Sequence, residues 1–293
     1  KEDKYSMKLA IGTAQFGMNY GVSNPNGVVT LDEITKILEY GKSVGINFLD
    51  TAAVYGNAEL VLGKVGINDW KCVTKLRPID SIHSNVEDWV KSQVNLSLEK
   101  LKVSHLHGIL LHKPFDIIEK NGKAYIRSLI KLKELGIVEN IGVSIYSPDE
   151  LDDVTKIFWP DIVQVPYNIF DNRINTSGWL DKLKSRDVKV HARSIFLQGL
   201  LLMDKNKRPK YFDRWKSPIG RWDELVEGSV DKALRIALSY VMQDERVEKV
   251  IVGINSLPQL KELVQAEPIE ISSIGGFEIS DLELIEPYRW TIK

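Results

Sequence analysis

Four residues of types that can hold and pass a proton stand where short apolar runs stop. Ile46 to Leu49 ends at Asp50 and opens into a loop carrying Tyr55, Cys72-Val-Thr ends at Lys75, and Gly108-Ile-Leu-Leu ends at His112. A carboxylate that closes a buried run is costly unless something pairs with it, and Lys75, closing the next run, is the available cation. A lone acid–amine pair is commonly a structural ion pair, and a lone histidine is commonly a hydrogen-bonded core residue. Four ionisable groups at successive run ends, one of them a phenol, instead mark a site fit for general acid–base work. Later run ends add Ser144, Gln164, Arg193 with Ser194, and Gly253, polar or small where the residues before them are apolar.

The elements that must position these residues alternate along the chain. Strand-like runs cover about 8–13, 46–50, 72–75, 107–112, 140–144, 162–165, 188–192 and 250–253. Between them lie helix signals. Thr30 with Glu33 forms a capping box ahead of Leu31, Ile34, Ile37 and Leu38, with Gly45 as the stop. A short helix is expected around Ala58 to Val65. Ser84 with Glu87 is expected to cap a helix carrying Val86, Trp89, Val90 and Val94, and Ile126, Leu129, Ile130 and Lys133 mark another. Ser147, Pro148 and Glu150 predict a further helix start. Helices near Trp179 to Lys184 and from Ser229 to about Met242 follow, and Ser256 with Gln259 caps the last. A polar and aromatic stretch from about Leu202 to Glu224 reads as a long loop. A tail from about Ile269 fits none of the repeats and is expected to pack across the barrel or its mouth.

Eight strand–helix units with mostly apolar strands suit parallel strands buried on both faces. An open doubly wound sheet usually carries Gly-x-Gly-x-x-Gly after its first strand. Here that turn reads Gly12-Thr-Ala-Gln-Phe-Gly17, without the central glycine and without an immediate helix. The expected fold is therefore an α/β (β/α)8 TIM barrel of eight parallel strands with a C-terminal extension, a single domain over residues 1–293. In such a barrel the C-terminal strand ends converge on one face, which gathers the residues above into one mouth.

Composition narrows the partners. With 39 Lys and Arg against 40 Asp and Glu, the formal charge is −1, which gives no reason to expect nucleic acid or an anionic membrane as partner. No apolar run approaches the ~18 residues of a membrane span, and the first residues lack the apolar core of a signal peptide. The single cysteine, Cys72, has no internal partner and reads as a small buried side chain, so a reducing, cytoplasmic location is expected. No metal site is expected, and the oligomeric state is not legible.

The motifs Phe48-Leu-Asp-Thr-Ala-Ala-Val-Tyr55-Gly56 with Glu59, Thr74-Lys75, Leu110-Leu111-His112-Lys113-Pro114, Gly142-Val-Ser144, Gln164-Val-Pro-Tyr167-Asn168 and Gln198-Gly199-Leu200-Leu201 span nearly the whole chain. In their order and spacing the sequence resembles the aldo-keto reductases. The resemblance implies a (β/α)8 barrel that reduces aldehydes or ketones with a nicotinamide cofactor, and a catalytic set of Asp50, Tyr55, Lys75 and His112. Tyr55 would be the general acid, with Lys75 expected to lower its pKa, Asp50 holding Lys75, and His112 donating a hydrogen bond to the carbonyl oxygen.

On the cofactor side, the resemblance implies that Ser144 and Gln164 bind the nicotinamide carboxamide. Ile145 follows that serine where many relatives have Asn. Arg193 stands where the family usually stacks an aromatic ring on the nicotinamide. Its guanidinium could stack in the ring's place and favour NAD(P)H over NAD(P)+, or it could pair with a carboxylate at the mouth. The segment Gly253-Ile-Asn255-Ser256-Leu-Pro-Gln259 falls where the family grips the adenosine phosphate, yet it lacks the usual Lys or Arg, and Ser256 with Gln259 could be only a helix cap. NADP(H) is expected from family habit, with NAD(H) left open. Substrate choice is expected from Gln15 to Tyr20 and from the basic, aromatic 205–222 stretch, which could grip an anionic or sugar-bearing molecule, lie over the cofactor pyrophosphate, or simply pack on the barrel. Likeness of the Gly12 to Gly17 and Ser194 to Leu201 segments to reductases of bacterial surface-sugar pathways suggests a sugar-type carbonyl. Two other functions stay open: a cofactor-binding regulatory barrel with little turnover, and an aldolase-like lyase using Lys75 as a Schiff-base amine.

Overall fold

The computed structural model describes residues 4–21, 27–79, 85–118 and 121–292. Among them, eight parallel strands close a barrel in sequential order. The strands are β1 (Leu9–Gly12), β2 (Phe48–Asp50), β3 (Lys71–Leu76), β4 (Gly108–Leu111), β5 (Ile141–Ser144), β6 (Ile162–Pro166), β7 (Lys189–Arg193) and β8 (Lys249–Gly253). The helices that return the chain outside it are α1 (Leu31–Ser43), α2 (Ala58–Val65), α3 (Val86–Leu101), α4 (Gly122–Glu134), α5 (Glu150–Ile157), α6 (Trp179–Ser185), α7 (Val230–Met242) and α8 (Leu257–Gln265). The expected (β/α)8 architecture is present.

Side chains alternate across a strand, and this parity organises the molecule. Ala10, Phe48, Val73, Leu110, Ile162 and Ile251 form one apolar cluster inside the barrel. Their strand neighbours, such as Leu9, Ile11, Leu49, Cys72, Ile109, Leu111 and Val163, belong to the larger cluster shared with the helices. Asp50, Lys75, His112, Gln164 and Gly253 each lie two residues beyond a member of the interior cluster. They therefore stand one pleat higher on the same side, which is why the strand exits share a rim. At the opposite end Phe48 lies edge-on to His107 and His191, with ring centres 5.3 and 5.2 Å away.

The caps show where local signals hold. Thr30 accepts the Glu33 N–H at 3.4 Å and Ser256 accepts that of Gln259 at 3.4 Å. Ser84 lies outside the described residues, and Asn85 caps α3 by accepting the Asp88 N–H at 3.1 Å. α5 starts at Glu150, later than the Ser147-Pro148 signal suggests, and the Glu150 carboxylate reaches back to the N–H groups of Tyr146 and Ser147 at 2.6 and 2.9 Å.

The 202–224 stretch is not a loop. It contains 3-10 turns at Lys205–Lys207 and Lys210–Trp215 and a helix at Lys216–Val226. Phe212, Trp215, Ile219 and Trp222 form a second core with Phe170, Leu284 and Ile285, against which Ile269, Phe277, Ile279 and Trp290 pack. Trp215 Nε1 donates to Asp281 Oδ2 at 2.9 Å, and Ile279 N–H to the Phe170 carbonyl at 2.8 Å. The tail thus packs on the segments that follow β6 and β7, and its Tyr288 ring meets Tyr146 at the mouth.

Candidate active site

The loop carrying Tyr55 is seated by backbone contact. A Cβ on Gly17 would lie 1.8 Å from the Tyr55 carbonyl oxygen, and one on Gly56 would lie 2.2 Å from the Gly17 carbonyl oxygen. Gly56 also has φ +55°, in the left-handed region that glycine adopts without strain. The two glycines let the β1 and β2 loops press together with no side chain between them.

Beneath that loop, Lys75 Nζ lies 2.7 and 2.9 Å from the two Asp50 carboxylate oxygens, 3.0 Å from the Thr51 carbonyl oxygen and 3.5 Å from the Tyr55 hydroxyl. Asp50 and Lys75 are 3% and 1% exposed, so each charge depends on the other. Gln164 Nε2 donates to Asp50 Oδ1 at 2.6 Å. One hydrogen of the amide expected to face a cofactor is thus spent on the ion pair. The Tyr55 and His112 rings meet edge to face, with centres 6.0 Å apart. Glu59, also buried, accepts from Thr74 Oγ1 at 2.7 Å behind Lys75.

Burial opposes the charge on Lys75, but Asp50 and Tyr55 outweigh it and the pKa is raised, so the ammonium is held. The Tyr55 pKa is also raised. Loss of water around the hydroxyl is the largest cause, and it outweighs the downward pull of Lys75. The net direction is the reverse of the expected one, and the phenol keeps its proton at neutral pH. Burial pushes the Cys72 thiol up as well, which leaves a protonated, inert side chain.

His112 is pushed down to about 3, first by burial and then by the positive charges of Lys75, Arg193 and Lys113. Its ring is neutral at neutral pH and carries one N–H; Nδ1 is buried without a protein partner. In an unfolded chain a histidine takes a proton at about pH 6.5. The folded ring refuses that proton down to about pH 3, so this residue's contribution to stability is full above ~6.5 and declines as pH falls below it. Wild type is therefore expected to lose more stability between pH 7 and pH 5 than His112→Gln. Urea midpoints at the two pH values check this, and equal losses would mean that the folded imidazole titrates normally.

A cavity of about 480 Å³ opens at this rim. It is lined by Asp50, Tyr55, His112, Ser144, Gln164, Arg193, Ser194, Gly253, Asn255 and Gln259. Lys75 lies below its surface, and Ser256 is used to cap α8. Gln259 lends its side-chain oxygen to the Asn255 N–H at 2.8 Å, completing that cap. The cavity also takes in Gln15, Tyr20, Tyr146, Phe196, Gln198 and Glu262. Gln15 and Asn255 each hold a buried side-chain oxygen without a protein partner. Gln15 lies so close to Gly253 that a Cβ there would be 2.4 Å from its amide nitrogen.

The basic and aromatic residues of the 205–222 stretch do not line this cavity. Arg208 pairs with Asp223 at 2.8 Å, Arg214 lies over Trp215 and Tyr211 donates to the Glu283 carbonyl at 2.8 Å. These contacts pack the stretch on itself and on the tail. Arg193 is not paired with a carboxylate: it donates to the Ile145 carbonyl oxygen at 2.9 Å and faces the Tyr146 ring. Tyr146 is a cavity residue that sequence reasoning missed, as is Glu262. Tyr146 follows β5 by two residues and has no motif of its own. Among the described residues no group of three or more His, Cys, Asp or Glu could hold a metal ion, and no helix is long and apolar enough to cross a membrane.

The sequence model described as "Aldo/keto reductase family" matches residues 8–278. The chain belongs to the aldo/keto reductase family. Similar proteins include L-galactose dehydrogenase of Arabidopsis thaliana, 26% identical over 96% of this chain and 91% of that protein. L-glyceraldehyde 3-phosphate reductase of Escherichia coli O157:H7 is 26% identical over 60% of this chain and 56% of that protein. Among solved structures, the holo form of an aldo-keto reductase from Bacillus halodurans matches with a TM-score of 0.71, 21% identity, and coverage of 98% of this chain and 92% of that one. As an aldo/keto reductase barrel, the chain carries its ionisable groups at the rim where barrel enzymes build their sites.

Proposed function

We propose that this protein reduces an aldehyde or ketone, of sugar type, to the alcohol, using NAD(P)H. The observation that carries the reading is the Lys75 ammonium, which touches the Asp50 carboxylate at 2.7 Å and the Tyr55 hydroxyl at 3.5 Å under the floor of a cavity bordered by His112. NAD(P)H, when bound in that cavity, would supply the hydride. Tyr55 gives its proton to the oxygen of the carbonyl as negative charge develops there. Neutral His112 donates its one N–H to the same oxygen and orients it. Lys75 stabilises the phenolate that Tyr55 becomes, and Asp50 keeps Lys75 charged and in place.

Ser144, Gln164, Arg193 and Ser194 would hold the nicotinamide end, and Gly253, Asn255 and Gln259 the adenosine end. The unpartnered oxygens of Gln15 and Asn255 suit hydroxyl and amino donors there. The cavity has no Lys or Arg at the β8 to α8 junction, and Lys261 lies over the Tyr40 ring instead, 5.5 Å from its centre. We therefore expect only modest discrimination between NADPH and NADH. The sugar-type substrate is supported by the names of the relatives above. A Schiff-base role for Lys75 fits poorly, because its nitrogen is charged, buried and committed to oxygens of three residues, Asp50, Thr51 and Tyr55.

The test is NADPH or NADH oxidation, followed by absorbance, across a panel of aldoses, keto sugars and simple aldehydes. Turnover of at least one carbonyl is expected with either cofactor, within about a hundredfold of each other, the worth of one forgone charge-assisted contact. Cofactor binding without turnover on any carbonyl would make the protein a binding barrel instead.

A further inference from the structure

Arg193 ends β7 on the cavity side, half-buried, and its contacts are all neutral. Nη2 donates to the Ile145 carbonyl oxygen at 2.9 Å, Nη1 to Ser194 Oγ at 3.3 Å, and the guanidinium carbon lies 4.8 Å from the centre of the Tyr146 ring. A guanidinium carries a full positive charge, and here no acid in contact offsets it. Asp50, the carboxylate at the same rim, is already bound to Lys75 and Gln164. The field of Arg193 reaches the reacting groups, since it disfavours protonated His112 and favours ionised Tyr55.

The support for Arg193 comes from the C-terminal tail. Tyr146 is fixed by its N–H, given to Glu150 at 2.6 Å, and by its carbonyl oxygen, which accepts from Arg173 Nη2 at 3.1 Å. Its ring meets Tyr288 edge to face, with centres 4.9 Å apart. Tyr288 donates to Glu286 Oε2 at 2.5 Å, and buried Glu286 also binds Arg173 at 2.9 Å and Arg289 at 2.6 Å. The tail is thereby clamped, and its tyrosine backs the ring on which Arg193 rests.

We propose that Arg193, positioned by Tyr146 and by Tyr288 of the tail, biases the site toward the reduced, uncharged nicotinamide and against the oxidised, cationic one. The proposal rests on the nicotinamide reading above. The two redox forms share their phosphates and adenosine, so those contacts largely cancel in the ratio of affinities. What remains is the ring charge, and like charges in a partly desolvated cavity repel. The protein would then hold NADPH or NADH and release the oxidised form readily, so that reduction runs with weak product inhibition.

The experiment measures dissociation constants for NADPH and NADP+ by protein fluorescence, at fixed ionic strength and without carbonyl, in wild type and variants. Wild type is expected to bind NADPH about tenfold or more tighter, equivalent to ~1.4 kcal/mol. Arg193→Met should bring the two within about threefold, chiefly through tighter NADP+, while Arg193→Lys keeps much of the preference. Tyr288→Ala should lower the ratio part-way and Tyr288→Phe restore it, because the ring and not the hydroxyl meets Tyr146. Equal binding of the two forms by wild type, or an unchanged ratio in Arg193→Met, overturns the proposal while leaving the reductase reading intact. If neither form binds, both readings fall together.

Discussion

Tyr55→Phe is expected to lower carbonyl reduction by about 10²–10⁴-fold, the usual worth of a positioned general acid, while NADPH affinity stays within about twofold. The reason for expecting a clean separation is geometric. The Tyr55 hydroxyl makes one long contact, 3.5 Å to Lys75, so losing it costs little structure. The ring remains packed against His112, and Lys75 keeps Asp50 and the Thr51 carbonyl oxygen. Because the phenol's pKa is raised, wild type is loaded with the proton at neutral pH, and the variant lacks it at every pH. Single-turnover rates and fluorescence titrations on the same preparation check the two halves. Wild-type turnover in this variant would remove Tyr55 from the mechanism.

Lys75→Met should have a larger effect on the molecule as a whole. It leaves Asp50, 3% exposed, without its counter-charge, and breaking a buried pair from one side costs about 3–5 kcal/mol. A drop in the urea midpoint should accompany the loss of activity, which makes inactivity alone uninformative. The double variant Asp50→Asn with Lys75→Met separates the two effects, since it removes both charges. It should recover much of the lost stability and none of the reduction. Recovery of activity in the double variant would show that the ion pair serves the fold and not the chemistry.

The barrel was legible because its repeats are local. Apolar strand runs, capping boxes such as Thr30 with Glu33, and the Ala58–Val65 helix are signals carried within a few residues. The rim was legible for a related reason: parity puts Asp50, Lys75, His112, Gln164 and Gly253 on the inner face at or near their strand ends, so polar exits in sequence become a polar mouth in space. What resisted reading depends on distant partners. The 202–224 stretch looks like a loop because its aromatic residues face the tail, as Trp215 does through Asp281. Arg193 could have paired with a carboxylate as far as the sequence goes, and only the folded chain puts the Ile145 carbonyl and the Tyr146 ring beside it. For Tyr55, the lysine neighbour is visible in sequence, whereas the loss of water that dominates its pKa belongs to the assembled cavity walls.

The pleat parity of the strands also divides the chain by its tolerance to change. Adding or deleting one residue inside β2 or β3 would turn Asp50 or Lys75 outward into the helix layer and bring an apolar neighbour to the rim. The strands therefore admit substitution but not a change of length. The loops beyond the rim carry no such arithmetic and can lengthen or shorten while the proton-handling groups stay in register. New substrate ranges are most accessible by grafting loops onto this rim, and attempts to retune it by shifting strands should yield inactive or misfolded chains.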